Sequence, residues 1–233
     1  MEKRIYMDNA ATTRVDPAVR EAMQPYFSDK FGNTMSLHHF GQEAKVALDE
    51  SRGTVAGMIG SKAEEVIFTG SATESNNFAI KGVAFANVDR GKHIIISEIG
   101  AICKEKRVYF HTDATQTLGK MGIDVGELNV DMMTASAHKM YGPKGVGFLF
   151  LKRGVKADPL LHGGGQESNM RSSTVNIPGI VGFAKACEVS LDQMGDDDER
   201  IFRLRNRLVE GIMKIEDTEL NGHPERRLSN NIN

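Results

Sequence analysis

The amino-acid sequence predicts an α/β protein: a mostly parallel sheet flanked by helices, with the start of a smaller C-terminal domain. Short apolar runs alternate with helical patterns along the chain, as expected for strands and crossover helices. With 233 residues, the chain is long enough to bury one substantial core. We expect a large domain over residues 1–200 and the beginning of a second over 201–233.

The first elements are predicted from helix-start signals. Asp16 is a typical N-cap and Pro17 suits the first helical position, so a helix is expected from here to near Phe27. A second helix is predicted for residues 42–58.

Residues 65–85 predict a strand, a small-residue loop and a helix in sequence. The strand covers 65–69, the turn 70–72 and the helix 73–85. This order places unpaired helix N-terminal amides beside a hydroxyl, which suits a phosphate. An ordinary N-capped helix explains the same residues, and spacing alone favours that interpretation.

The remaining elements continue the alternation. Strands are predicted at 92–97, 108–110, 130–134 and 146–151, and helices at 178–194 and from Asp196 onward. In the last helix, Glu199 is a capping-box partner at its start. Its Arg203, Arg205 and Arg207 are expected to form a solvated face rather than a nucleic-acid patch.

Composition excludes several classes of function. The formal charge of −2 argues against direct nucleic-acid binding, and no apolar run is long enough for a membrane span or a signal peptide. A cytoplasmic location is therefore expected. His38, His39 and His111 lack convincing metal-ligand spacing, so no metal site is predicted.

Lys139 and Asp113 are the strongest chemical signal. Lys139 follows an apolar run, with Ser136 and His138 before it and glycines after it, where the aldehyde of pyridoxal 5'-phosphate (PLP) can be held as a Schiff base. Asp113 follows another apolar run. A carboxylate at such a strand end can pair with the pyridinium nitrogen and keep it protonated.

Seven segments in the same order resemble the cysteine desulfurases of the NifS and IscS type, which are class V aminotransferases of PLP fold type I. The matching segments are Asp8–Thr13, Phe31–Asn33, Ser71–Asn77, His111–Gln116, Ser136–Lys139, His162–Glu167 and Arg171–Thr174. Each segment is weak evidence alone, whereas their shared order over almost the whole chain is specific.

The resemblance implies a role for each matching position. Lys139 would be the Schiff-base lysine and the base that removes the substrate α-proton, and Asp113 would bind the pyridine nitrogen. Gln116 would bind the phenolic oxygen of the cofactor. The phosphate would be bound by Ala72, Thr73, Ser136 and His138, and Thr174 would reach the phosphate of the neighbouring subunit. A homodimer is therefore implied.

The implied reaction converts L-cysteine to L-alanine and transfers sulfur through an enzyme persulfide. An iron–sulfur scaffold protein, or another sulfur-acceptor protein serving thiolated tRNA synthesis, would receive the sulfur. Selenocysteine lyase and an aminotransferase of small amino acids are alternatives within the class. A non-catalytic PLP-binding interaction protein is the alternative from another class.

Two departures from the family pattern stand out. A long stretch that the family carries is missing near residues 99–100, including the histidine that stacks on the cofactor ring. The sulfur-accepting cysteine and the arginine for the substrate carboxylate have no counterpart either. Cys103 and Cys187 match neither position and are expected to be structural. The sequence represents either segments of a longer protein joined together, which we favour, or a truly shortened chain.

Overall fold

The computed structural model describes residues 5–89, 103, 105 and 108–233. The helices are α1 (Pro17–Met23), α2 (Pro25–Ser28), α3 (His39–Met58), α4 (Ala72–Asn77), α5 (Val83–Ala86) and α6 (Ile177–Ile212). The strands are β1 (Val66–Thr69), β2 (His111–Asp113), β3 (Met132–Ser136) and β4 (Gly147–Leu151). No helix in these ranges is long and apolar enough to span a membrane.

The first helix starts where the sequence predicts, but proline divides it. The Asp16 side chain accepts a hydrogen bond from the Ala18 amide at 2.8 Å, which confirms the predicted N-cap. The single helix expected to run to Phe27 ends at Met23, because Pro25 has no amide proton and begins a new short helix. Helix α3 begins three residues earlier than predicted, capped by His38.

The predicted helix 73–85 is present with an irregular centre. Helix α4 is capped by the Ser71 side chain, which accepts a hydrogen bond from the Glu74 amide at 3.1 Å. A π-helical turn, Phe78–Gly82, joins α4 to α5. Gly82 lies in this turn because the Asp158 carbonyl approaches so closely that a Cβ atom would lie 2.6 Å from it.

The described sheet is mixed rather than mostly parallel. Its strand order is β1-β4-β3-β2; only β2 and β3 pair in parallel, and β4 is antiparallel to both β1 and β3. The connection between β3 and β4 is too short for a parallel crossover, so β4 must return antiparallel. The α/β class and the flanking helices are confirmed.

Strand boundaries differ slightly from the prediction. The strand expected at 108–110 begins at His111, because the Phe110 amide donates to the Asp131 side chain at 3.0 Å instead of joining a ladder. Strand β3 lies two residues later than predicted and therefore includes Ser136. The strand predicted at 92–97 lies outside the described residues.

Helix α6 replaces the two helices predicted at the C-terminal end. It continues for 36 residues across Gly195, where a break was expected, since a single glycine weakens a helix without ending it. The proposed domain boundary at 200/201 falls inside this helix, and the division into two domains remains a prediction. Arg205, expected in a solvated face, is buried, with its guanidinium 4.5 Å from the centroid of the Phe202 ring.

The main core lies between the sheet and helices α1, α3 and α6. Helix α6 packs against both other helices, and its Phe183 contacts Phe148 of β4 with ring centroids 5.6 Å apart. Both rings are fully buried. This contact fixes α6 on the strand that separates β1 from β3.

Replacing Phe183 with Ala should lower the free energy of unfolding by about 3–5 kcal/mol, because it opens a cavity between α6 and β4. Leu191→Ala on the same helix is the matched control; this side chain is 49% exposed, and its loss should change stability by no more than about 0.5 kcal/mol. Urea denaturation measures both, and equal effects would contradict the packing described.

Candidate active site

The sheet brings most of the predicted site residues to one edge. Strands β1, β2 and β3 run in the same direction, because β1 and β3 are both antiparallel to β4. The last residues of β1 and β3, Thr69 and Ser136, both pair with Gly147. Helix α4, Asp113 and the turn that carries Lys139 follow these carboxyl ends.

Lys139 lies in a 3-10 turn directly after β3 and contacts the N-terminal segment. Its amine donates hydrogen bonds to the carbonyls of Ala10 and Ala11, the second at 2.8 Å. Gln116 donates its side-chain amide to the same Ala10 carbonyl at 3.1 Å. Two predicted site residues therefore meet at one backbone oxygen of the Asp8–Thr13 segment.

His138 is joined to the same segment through its backbone and its ring. Its carbonyl accepts a hydrogen bond from the Thr13 hydroxyl at 3.0 Å, and its Nδ1 lies 3.1 Å from the Thr12 hydroxyl. Burial, followed by the positive charges of Lys139 and Lys144, lowers the pKa of His138. The ring is therefore neutral at neutral pH and can offer one donor to an anion.

Asp113 is a charged carboxylate at the end of β2. Its two oxygens accept hydrogen bonds from the Asn76 side chain at 2.7 Å and from the Thr115 amide at 2.9 Å. Partial burial acts to raise the pKa of Asp113, but the hydrogen bonds from Thr115 and Asn76 outweigh it and lower the pKa. The carboxylate is therefore ionised at neutral pH.

His111, two residues before Asp113, is buried beneath this edge. Its Nε2 lies 3.1 Å from the Thr134 hydroxyl, whereas its buried Nδ1 has no hydrogen-bond partner among the described residues. Burial lowers the pKa of His111, and the nearby Asp113 charge opposes this only partly. The imidazole is therefore neutral in the folded protein.

Ser136 and the start of α4 approach each other across Gly147. A Cβ atom at Gly147 would lie 2.7 Å from the Ala135 carbonyl oxygen and 2.9 Å from the Ser71 carbonyl carbon, so only glycine fits. The Ser136 hydroxyl is buried and donates to the Val146 carbonyl at 3.1 Å. Ala72 and Thr73 form the first turn of α4, with the Thr73 side chain exposed.

Thr174 lies in the loop before helix α6. It is exposed and lines a cavity of about 220 Å³ together with Gly70, Gly145 and Arg171. Arg171 forms a two-point ion pair with Glu74 of α4, at 2.7 and 3.1 Å. Sequence analysis missed this pair: the spacing of Ser71 and Glu74 indicates only a helix cap, and nothing marks Arg171 as its partner.

A second arginine–carboxylate pair holds an unusual turn in the same loop. Glu167, Ser168 and Asn169 all have positive φ angles, 47°, 56° and 66°, which costs roughly 1–2 kcal/mol for each such residue. Both oxygens of Glu167 bind the Arg52 guanidinium, at 2.6 and 2.7 Å, and one also accepts the Phe68 amide. The buried pair therefore offsets backbone strain.

The donor set at the sheet edge fits PLP. Asp113 supplies the negative charge that a pyridinium nitrogen requires, and Lys139 supplies a primary amine. Asn76 bonds Asp113 through its amide nitrogen while its buried Oδ1 has no partner in the described part of the chain. Among the described residues, the Asn76 Oδ1 atom is thus a hydrogen-bond acceptor without a partner beside the Asp113 carboxylate.

Comparison with known proteins agrees with this chemistry. The family model for class-V aminotransferases matches residues 5–101 and 95–233. The chain therefore belongs to the class-V aminotransferase family, whose cofactor is PLP.

Within the family, the similar proteins are cysteine desulfurases. The chain is 40% identical to "Cysteine desulfurase IscS" of Methanosarcina thermophila, covering 99% of this chain and 73% of the relative. It is also 40% identical to the protein of the same name from Dictyoglomus turgidum, covering 100% and 76%. A solved "NIFS-LIKE PROTEIN" superposes with a TM-score of 0.90 at 31% identity, covering 99% of this chain and 81% of that one. The predicted resemblance is confirmed.

The alignments also bear on the missing stretch. The first relative aligns over 295 positions, more than the 233 residues of this chain, so that relative carries residues without a counterpart here. The two segments matched by the family model meet near residues 95–101. The position of the missing stretch near residues 99–100 remains a prediction.

The pKa of His111 predicts a pH effect on stability. In the unfolded chain the His111 imidazole has its ordinary pKa of 6.5, whereas in the folded protein this pKa is lower. The unfolded chain therefore binds the proton first, so the free energy of unfolding should fall as the pH decreases through 6.5. His111→Gln should flatten the dependence of the unfolding free energy on pH between about 7.5 and 5.5. Exposed His39→Gln is the control, and parallel curves for wild type and His111→Gln would refute the assignment.

Proposed function

We propose that this chain performs the PLP-dependent part of cysteine desulfuration, in which L-cysteine becomes L-alanine and its sulfur passes to an acceptor thiol. One observation carries the proposal: an amine, a charged carboxylate and the first turn of a helix follow the carboxyl ends of three co-directional strands. The similarity to proteins named cysteine desulfurase supports cysteine as the substrate. A solved relative, "SspA in complex with cysteine", is 32% identical with a TM-score of 0.76, covering 79% of this chain and 72% of that one.

Each group at the edge has a task that follows from its chemistry. Asp113, charged and held by Asn76 and Thr115, would keep the pyridine nitrogen protonated. Lys139 would hold the cofactor aldehyde and, once the substrate amine has replaced it there, would remove the α-proton of the substrate. When bound, PLP supplies an electron sink for the pair that this proton leaves behind. To react, the Lys139 amine must leave the Ala10 and Ala11 carbonyls.

The other predicted residues bind and orient the cofactor. Gln116 has an amide that can donate to the phenolic oxygen, and the first turn of α4, with Ala72 and Thr73, presents backbone amides to the phosphate. Neutral His138 adds a donor for the phosphate. Ser136, whose hydroxyl proton is directed to Val146, would act as an acceptor or would have to turn away from that carbonyl.

The sulfur must leave through a thiol other than the two in this sequence. Cys103 and Cys187 are both buried. Full burial, with a smaller contribution from Glu188, raises the pKa of Cys187, which removes the thiolate that attack on sulfur requires. We propose an iron–sulfur scaffold protein or a carrier for tRNA thiolation as the final acceptor.

We further propose a homodimer in which Thr174 reaches the phosphate of the partner subunit. Its exposed position in the loop before α6 supports this role, because the side chain is available to another chain. A cytoplasmic location suits chemistry that depends on free thiols, because that compartment keeps cysteines reduced.

A non-catalytic PLP-binding protein is the second candidate. The burial of both cysteines favours it, because this chain alone has no accessible thiol to form a persulfide. The two functions differ in proton transfer. A binding protein holds PLP without exchanging the α-proton of an amino acid, whereas the enzyme exchanges it.

Replacing Lys139 with Ala should abolish the absorbance of the Schiff base between the protein and PLP, and the exchange of the α-proton of L-alanine in deuterated water. Wild-type protein should show both, and should form alanine and sulfide from L-cysteine when dithiothreitol serves as the acceptor. Lys144→Ala, a nearby exposed lysine, is the control. Cofactor binding without exchange in the wild type would support the binding protein instead, and a Lys139→Ala variant that keeps both signals would refute the role of Lys139.

Replacing Asp113 with Asn should reduce α-proton exchange by at least about 100-fold, because the pyridinium charge loses its partner. The size of the group is preserved, so the protein should remain folded, which circular dichroism verifies. Asp49→Asn, which alters an exposed pair with Lys45 on α3, is the control. Unchanged exchange in Asp113→Asn would contradict the pyridinium role.

A further inference from the structure

The loop 162–174 is held to the rest of the chain at two points. Near its centre, Glu167 pairs with Arg52 of α3. Near its end, Arg171 pairs with Glu74 of α4 through two hydrogen bonds. Both pairs are largely shielded from solvent: the side chains are 14% and 3% exposed in the first pair, and 19% and 23% in the second. Two-point ion pairs that are shielded from solvent fix the relative position of their partners better than exposed surface ion pairs do.

Glu74 connects this loop to the phosphate-binding end of α4. Its amide donates to the Ser71 cap, and one of its carboxylate oxygens accepts the Gly70 amide at 2.8 Å. Glu74 is thus fixed both to the turn before α4 and to the helix itself. Any group bonded to its carboxylate is placed relative to Ala72 and Thr73.

Arg171 is three residues before Thr174 in the chain. Its Nε and one terminal nitrogen bind the two Glu74 oxygens separately, which fixes the orientation of the guanidinium as well as its distance. Arg171 and Thr174 also line the same cavity beside Gly70. The pair therefore constrains the end of the loop that carries Thr174.

We propose that Arg171 is a positioning residue that places Thr174 for phosphate binding through its two-point contact with Glu74. The inference rests on the proposed function of Thr174. Two of the three guanidinium nitrogens of Arg171 are bonded to Glu74, so we assign Arg171 a positioning role rather than a contact with the cofactor. It acts by restricting where the Thr174 hydroxyl can lie.

A double-mutant cycle on cofactor affinity tests the proposal. Thr174→Val and Arg171→Met should each weaken PLP binding by about tenfold, the loss expected for one hydrogen bond to a charged group. If Arg171 acts through Thr174, the double variant should bind PLP no more than about twofold more weakly than the single variant that has the lower affinity. Losses that multiply to about 100-fold would show that the two residues act independently and would overturn the proposal.

Hydrogen exchange in the cofactor-free protein provides a second test that does not depend on PLP. Arg171→Met should accelerate exchange of the amides in 162–174 at least about tenfold and leave those of β3 unchanged. Arg171→Lys, which keeps the charge but not the two-point geometry, replaces it if the Met variant unfolds. Unchanged loop exchange would overturn the inference.

The matched control is Arg200→Met, which removes an exposed pair with Asp197 on α6. It should alter neither cofactor affinity nor loop exchange. The outcomes also separate the two proposals. Wild-type protein that fails to bind PLP refutes the proposed function, while faster loop exchange in Arg171→Met with unchanged affinity refutes only the link to Thr174.

Discussion

The antiparallel return of β4 between β1 and β3 is the constraint on which the site depends. Because β4 is opposed to both neighbours, β1 and β3 end at the same edge, and their last residues, Thr69 and Ser136, pair with the same residue, Gly147. The close approach at Gly147 brings the turn before α4 against the end of β3. Without this arrangement, the Lys139 amine and the start of α4 would lie on unrelated parts of the molecule.

Charge at this edge is set by a balance between burial and hydrogen bonding. Asp113 keeps its charge because donors from Asn76 and Thr115 outweigh desolvation, whereas His111, deeper in the same strand, lacks such compensation and stays neutral. Two titratable groups only two residues apart therefore differ in charge: the Asp113 carboxylate is ionised and the His111 imidazole is neutral. The difference leaves an anion at the edge of the sheet while the layer beneath it remains uncharged.

Much of this could be predicted from sequence, because the relevant signals are local. Asp113 and Lys139 each follow an apolar run, and strand ends are readable even when the boundaries shift by a few residues. The antiparallel β4 was predictable from its short connection but was not recognised. The pair of Arg171 and Glu74 was beyond reach, since it joins residues 97 positions apart and leaves no periodic or spacing signal. Contacts of this kind exist only once the chain has folded.

The proposed chemistry has two parts, proton transfer and sulfur transfer, and the edge of the sheet and the protein interior suit them differently. Proton transfer needs groups that are held by hydrogen bonds yet accessible, as Lys139 and Asp113 are. Sulfur transfer needs a thiolate, and burial within α6 keeps Cys187 protonated and out of reach. A chain with this distribution of charge can prepare the substrate carbon–sulfur bond for cleavage, but the nucleophile that accepts sulfur must be brought to the edge from outside these 233 residues.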